Sequence, residues 1–219
     1  MARQNGCGYC GKQKPGGATV KKRSMFIESG AVRMLFISNL LMGALFGCFD
    51  TSTIAFTQEL GHPGAASVAF ALSSVFSMVV GVVFGTLKLK ASRRVQFTMA
   101  AIAIGLFWSL LAFVNSLGML YAVVSFASLV YAPFLICGNA LCEQAVPPER
   151  LTESLTWLNT GIICGLAFGP TAAGAIIDTF GASFGFDLAA VMGLSLALFN
   201  IATIPLWKRT MARRENMEK

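Results

Sequence analysis

Six long stretches of this sequence carry almost no charge, and they constrain the fold more than any other feature. Each is long enough for the roughly 20 helical residues that a bilayer crossing requires. None alternates apolar and polar residues with period two, so the pattern favours helices over a membrane β-barrel. The sequence therefore predicts an all-α polytopic membrane protein with six transmembrane helices, near residues 34–56, 65–87, 95–114, 117–141, 155–177 and 184–207.

The composition agrees with a membrane protein and argues against soluble and disordered classes. Hydrophobic residues make up 55% of the 219 residues, and charged residues only 12%. An average soluble protein has roughly 25% charged residues. Disordered chains are poor in apolar and aromatic residues, which this sequence is not.

The distribution of Lys and Arg predicts the orientation of the six helices. All 17 lie before the first span or after the second, fourth or sixth, whereas the connections near residues 57–64, 115–116 and 178–183 contain none. Because Lys and Arg concentrate in cytoplasmic loops, we expect a multi-pass protein of the cell membrane with both termini in the cytoplasm. Residues 1–32 are interpreted as a disordered basic tail and residues 208–219 as a second basic tail. Contact with lipid headgroups accounts for the net charge of +7, so no nucleic-acid partner is expected.

Cysteine and histidine usage indicates no metal site. Cys7 and Cys10 form a C-x-x-C pair, which can bind zinc or form a disulfide. Zinc takes four ligands in structural sites, and the single histidine, His62, is predicted on the other side of the membrane. The sequence also lacks a nucleotide-binding loop, H-E-x-x-H and G-x-S-x-G. It therefore predicts no metal, no cofactor and no enzymatic activity.

Small residues on the fifth span predict close helix packing. Gly161, Gly165, Gly169 and Ala173 recur every four residues and share one helical face. Lipid provides no hydrophobic drive for helix association, so contacts between small residues let the backbones approach. We assign Gly161, Gly165, Gly169, Pro170 and Gly174 to helix packing.

Asp50 is the acid that the sequence places deepest in a span. At 1.5 Å per helical residue it lies roughly 25 Å from Arg33 and 14 Å from Glu59, inside the hydrocarbon. A carboxyl at this depth costs a few kcal/mol and usually faces a cavity or a partner. Two interpretations stay open. Either Asp50 binds a proton or a substrate on a transport path, or it reaches water at the outer mouth and only marks the helix end.

Other polar residues accompany Asp50 at helical spacing. On the first span a polar face is formed by Asn39, Gly43, Gly47, Asp50, Thr53 and Thr57, and we expect it to face a cavity. The fourth span has a second stripe. The candidate residues of a substrate or proton pathway are Asp50, Asn39, Thr53, Tyr121, Ser125, Ser128 and Asn139.

The connection after the second span resembles the loop motif of the major facilitator superfamily, in which a glycine leads to a basic cluster. Leu89 and Ser92 stand where the motif has its acid and its second glycine. The matching residues are Gly85, Lys90, Arg93 and Arg94.

Two further segments resemble the drug- and sugar-efflux members of this superfamily. Residues 146–161, continued by 168–174 and 178–181, are similar to the region between the tenth and eleventh helices. Residues 59–64 are similar to the connection between the seventh and eighth helices. The resemblance implies the C-terminal six-helix half of a twelve-helix transporter, in which the first and fourth spans would line the central cavity.

This resemblance implies a secondary active transporter that exports small molecules, with the proton as a candidate coupling ion. One half cannot enclose a path alone, so we expect a second six-helix half or a homodimer, in contact with membrane lipid. The alternative is a truncated, non-transporting remnant or a small membrane interaction protein.

Overall fold

The structure, a computed structural model, describes residues 30–86 and 92–215, with side chains up to residue 205. Cys7, Cys10, Lys90 and the ends of both tails lie outside the described residues. Within these ranges the chain forms seven α-helices and no strand. The helices are α1 (Gly30–Glu59), α2 (Gly64–Thr86), α3 (Arg93–Ser109), α4 (Leu117–Ser128), α5 (Tyr131–Ala145), α6 (Leu151–Phe180) and α7 (Ala182–Glu215).

These helices form six segments that are long and apolar enough to cross a membrane, because α4 and α5 together make one crossing. A 3₁₀ turn over Leu110–Phe113 extends α3, and another over Pro148–Arg150 precedes α6. The predicted all-α fold with six spans is confirmed.

Several helices are longer than the apolar stretches that predicted them. The first helix begins at Gly30, inside the segment interpreted as a tail, and continues to Glu59. Helix α7, which contains the sixth crossing, likewise continues to Glu215. Hydropathy marks only the part of a helix that lies in hydrocarbon, whereas the backbone hydrogen bonds continue into the interfacial region.

The fourth crossing, which the sequence predicted near residues 117–141, is interrupted between α4 and α5. At the interruption Leu129 N donates to Phe126 O at 3.2 Å and Val130 N to Ala127 O at 3.4 Å. These are bonds to the third preceding residue, which tighten the backbone locally. Pro133 has no N–H to donate to the carbonyl of Leu129, four residues earlier. The missing hydrogen bond explains why the helix is interrupted near Leu129.

The centre of the bundle is α1, which packs most extensively against α6 and then against α7. Helix α3 packs against α7 and α5, and helix α2 packs against α4 and α5. The exposure of α2 is unusual, since only Ala65, Ala66 and Ala69 of this helix are buried.

Glycines set the short distance between α1 and α6. A Cβ added at Gly169 would lie 2.9 Å from the Gly47 Cα and 2.5 Å from the Ala44 carbonyl oxygen, and one at Gly161 would lie 2.8 Å from the Phe36 oxygen. Ordinary Cβ contacts are 3.4–4 Å. Backbones can therefore meet here only because these positions lack side chains.

Candidate functional site

Asp50 lines a cavity of about 150 Å³ between α1, α5 and α6. The carboxylate side chain is partly buried. Among the side chains that the structure describes, none forms an ion pair or hydrogen bond with it. The cavity is lined by Met42, Gly43, Phe46, Asp50, Tyr131, Ile162 and Leu166.

The wall of the cavity opposite α6 is aromatic. The ring centroids of Phe46 and Tyr131 lie 4.7 Å apart, and those of Phe46 and Trp108 lie 4.9 Å apart. Trp108 is fully buried and also meets Phe49 edge-on at 4.8 Å. Tilted and edge-to-face rings at these distances attract one another, so the cluster fixes the rings beside Asp50.

The wall contributed by α6 combines close packing with an interrupted hydrogen-bond ladder. Gly43 lets the Ile162 carbonyl approach α1, because a Cβ at Gly43 would collide with that oxygen. About two turns further on, Pro170 lies inside α6 and has no N–H for the carbonyl of Leu166. Leu166 thus lines the cavity and lacks the helical donor of its carbonyl, and the Asp50 carboxylate provides an acceptor for a proton or a cation.

Asn39 and Thr53 do not line this cavity. Asn39 is 4% exposed, and its side-chain amide donates to the Leu35 carbonyl at 2.8 Å. Thr53 is fully buried, and its hydroxyl has no hydrogen-bond partner in the described part of the chain. The polar face of α1 is therefore divided: Asp50 and Gly43 reach the cavity, whereas Asn39, Thr53 and Thr57 pack inside the bundle.

The polar stripe predicted on the fourth span is divided by the interruption between α4 and α5. The hydroxyls of Ser125 and Ser128 both bond to carbonyls of their own helix, and Ser128 Oγ also lies 2.7 Å from Ser73 Oγ of α2. Tyr121 donates to the Ala65 carbonyl at 3.3 Å and lines a separate cavity beside the loop between α1 and α2. Asn139 lies on α5 and is exposed. The structure does not bring these four residues to Asp50, and their role in a pathway stays a prediction.

The two adjacent arginines of the loop motif point in different directions. Arg93 donates to the Gln96 side chain at 3.3 Å, next to Cys137 of α5. Arg94 instead lines a groove on the outer side of α3. Gly85 is exposed at the end of α2, with open space where a side chain would be.

Four of the five residues assigned to helix packing lie in the α1–α6 contact. These are Gly161, Gly165, Gly169 and Pro170. Gly174 does not, because a Cβ there would meet nothing within 4 Å, and the fully buried Ala173 occupies the packed face instead. The four-residue spacing from Gly169 leads to Ala173 and not to Gly174.

Phe46 and Tyr131 are cavity residues that the sequence did not single out. Phe46 lies one helical turn before Asp50, so a search for residues four positions from the acid would have found it. For Tyr131 the only sequence signal is the nearby Pro133. This proline indicates where the fourth span is interrupted, but it does not indicate that Tyr131 lies beside Asp50.

Comparison with known proteins decides the family. The sequence model of the Major Facilitator Superfamily matches residues 31–218. The chain belongs to this superfamily. The recognised resemblance is therefore confirmed, and the six crossings correspond to half of a facilitator bundle.

Curated relatives of the chain are named as multidrug resistance proteins or as a drug-resistance efflux pump. "Multi-drug resistance efflux pump PmrA" of Streptococcus pneumoniae is 29% identical over 181 residues, which cover 79% of this chain and 44% of the relative. "Multidrug resistance protein MdtG" of Yersinia enterocolitica is 25% identical over 166 residues, covering 73% and 38%. The MdtG protein of Dickeya zeae is 26% identical over 177 residues, covering 78% and 41%. The chain thus spans about two fifths of the length of these relatives.

Proposed function

We propose that this six-helix unit forms one half of a secondary active transporter that exports small molecules. The observation that carries the proposal is the cavity in which Asp50 lies without a described partner, between α1, α5 and α6. Membership of the facilitator superfamily and similarity to a protein named as a multi-drug resistance efflux pump support the direction and the substrate class.

Asp50 is the group that we assign to substrate or proton binding. An acid inside a span is costly to insert and usually serves a transport path. The cavity of about 150 Å³ is smaller than the roughly 300–1,000 Å³ of typical ligand sites. A proton or one cationic group of a larger substrate would fit there, with the aromatic rings of Phe46 and Tyr131 beside it.

A complete path needs a second six-helix unit. Facilitator transporters bind substrate between two halves that rock about the site, and here only α1, α5 and α6 surround the cavity. Large apolar side chains on α2 and α6 are 65–71% exposed and available for burial against lipid or another unit: Met78, Val82, Ile163 and Phe168. This second six-helix unit is another copy of this chain, a different chain, or a further part of the same polypeptide.

The proposed location is the cell membrane, with both ends of the described bundle on the cytoplasmic side. The support is the confinement of all 17 Lys and Arg residues to one set of connections and the two ends. Such confinement is the usual signature of the cytoplasmic side.

Cross-linking in native membranes tests whether the second unit exists. We expect a cross-linked species that contains the chain and a second six-helix unit, or a longer polypeptide that contains both. A chain that stays monomeric and transports nothing would refute the proposed transporter.

Transport by that complex tests Asp50. Asp50→Asn keeps the size of the side chain but removes the titratable charge, so we expect normal insertion together with loss of proton-driven export. Asp50→Glu keeps the charge and should retain part of the activity. Uptake of a fluorescent drug into inverted vesicles at two pH values, normalised to inserted protein, measures both effects.

Asp187→Asn is the matched control for this experiment. Asp187 lies near the start of α7, and its side chain is exposed. Its neutralisation should leave export unchanged. Wild-type export by Asp50→Asn at both pH values would eliminate the role of Asp50 and leave the position of the site open.

A further inference from the structure

A groove of about 410 Å³ lies on the outer side of α3, between α5 and α7. It is separate from the Asp50 cavity and shares none of its lining residues. Helix α3 buries Phe97 and Ile104 in the bundle, whereas Met99 is 62% exposed. The apolar part of the groove is lined by Val95, Met99, Ile102, Leu141 and Ile204.

The polar end of the groove lies at the first turn of α3. Arg94 and Ser92 line the groove at this end. The Arg94 side chain is partly buried, and no ion pair or hydrogen bond joins it to another side chain in residues 30–86 and 92–205. Its neighbour Arg93 bonds to Gln96, so Arg94 is the arginine of this turn that faces the groove.

The N-terminus of α3 adds a second feature that attracts anions. Ser92 is the N-cap residue, but its side chain makes no capping hydrogen bond. The N–H groups of the first helical turn have no partner within the helix and carry partial positive charge. A phosphate is a common ligand of such a helix end, especially beside an arginine.

We propose that this groove binds one anionic phospholipid. The phosphate contacts Arg94 and the first turn of α3, and one acyl chain lies along the apolar lining toward Ile102. From Arg94 to Ile102 the groove follows about 12 Å of helix. Val95, Met99 and Ile204 are 56%, 62% and 39% exposed, so an acyl chain can cover them. The volume lies within the roughly 300–1,000 Å³ of ordinary ligand sites.

Charge selects the class of lipid. Arg94 lines the groove, and none of the described residues that line it is acidic. Basic pockets between transmembrane helices bind anionic headgroups. A zwitterionic phospholipid would bring its own cation to this already basic end, and inorganic phosphate would leave the apolar lining uncovered.

Native mass spectrometry of the purified full chain tests the proposal. Phosphatidylglycerol and phosphatidylcholine with identical acyl chains are titrated separately. We expect retention of one phosphatidylglycerol molecule in preference to phosphatidylcholine. Arg94→Gln should weaken phosphatidylglycerol binding about fivefold, the effect of one basic residue near the membrane surface. Arg94→Lys should keep most of it.

Two matched controls separate this site from general attraction to anionic lipid. Arg33→Gln removes an exposed arginine near the start of α1 and should leave binding unchanged. Met99→Trp fills the groove and should abolish retention. Leu106→Trp adds the same bulk two turns further along the same face, where Leu106 is 64% exposed but does not line the groove, and should have no effect.

Three results would overturn the proposal. One is equal retention of both phospholipids by the wild-type chain. Another is equal weakening by Arg94→Gln and Arg33→Gln, which would mean attraction to the surface charge alone. The third is displacement of the lipid by inorganic phosphate together with full binding by Met99→Trp, which would mean a phosphate site without an acyl-chain groove. Lipid retention is independent of transport, so failure of either proposal leaves the other intact.

Discussion

Replacing Gly165 with alanine should loosen the contact between α1 and α6. The new Cβ would lie 2.6 Å from the Ala44 nitrogen and 2.9 Å from the Gly43 carbonyl carbon, and it would collide with the Leu40 oxygen. All three are backbone atoms and cannot turn aside. The two helices must therefore separate by several tenths of an ångström at least, and gaps of about 0.5–1 Å already lose a quarter to a half of a dispersion contact.

The size of the effect follows from comparison with Gly174→Ala in the same helix. Alanine gains about 0.5–1 kcal/mol over glycine from helix propensity at either position. At Gly174 nothing lies within 4 Å of the new Cβ, so only this gain remains. Overpacking costs about 1–3 kcal/mol. The propensity gain cancels between the two variants, so Gly165→Ala should be less stable than Gly174→Ala by about 1–3 kcal/mol.

Unfolding in mixed micelles with increasing SDS provides the measurement. Tryptophan fluorescence reports it, since Trp108 is fully buried among aromatic rings. The free energies of unfolding of the wild type and both variants are compared in one detergent. Equal stability of Gly165→Ala and Gly174→Ala would refute the argument that backbone contact at Gly165 limits the separation of the helices.

Two further predictions concern the side of the membrane away from the basic connections. Glu59 accepts a hydrogen bond from the Ala182 backbone nitrogen at 3.0 Å and so caps α7, and its replacement by alanine should lower the free energy of unfolding by about 1 kcal/mol. Glu59→Gln, which keeps an acceptor, should lose less, and equal losses by thermal unfolding would contradict this role. Single cysteines at Gly64 and Ser183, in a background without the native cysteines, should react with an impermeant thiol reagent outside intact cells. A cysteine at Ser92 should not react, and its labelling would reverse the proposed orientation.

Sequence reasoning works best here where one physical rule applies to a whole span. A bilayer crossing needs about 20 apolar helical residues, so six such stretches predict six crossings. Four-residue spacing also identified Gly161, Gly165 and Gly169, because positions four apart share a helical face. Hydropathy could not predict that α1 begins at Gly30 or that α7 reaches Glu215, since helical hydrogen bonding does not end where the apolar residues end.

Which polar residues meet one another depends on packing, and packing is not periodic in the sequence. Asn39 shares a helical face with Asp50, yet it bonds to its own backbone and lies outside the cavity. Tyr131 reaches the cavity from a helix 81 positions later in the chain. Likewise Arg93 and Arg94 are adjacent in the loop motif, but Arg93 bonds to Gln96 of its own helix, whereas Arg94 lines a groove that forms only because α5 and α7 contribute Leu141 and Ile204.

The Asp50 cavity lies between the tightly packed helices α1 and α6 and the interrupted fourth crossing. Backbone contacts at the glycines fix α6 against α1, so the α1 wall carrying Asp50 and the α6 wall cannot easily move relative to each other. The opposite wall includes Tyr131, the first residue after the interruption of the fourth crossing. Pro133 has already removed one helical bond near that interruption, so bending there breaks fewer bonds than bending within a continuous helix. We therefore expect a change in the space around the carboxylate to come from the fourth crossing and not from the α1–α6 pair.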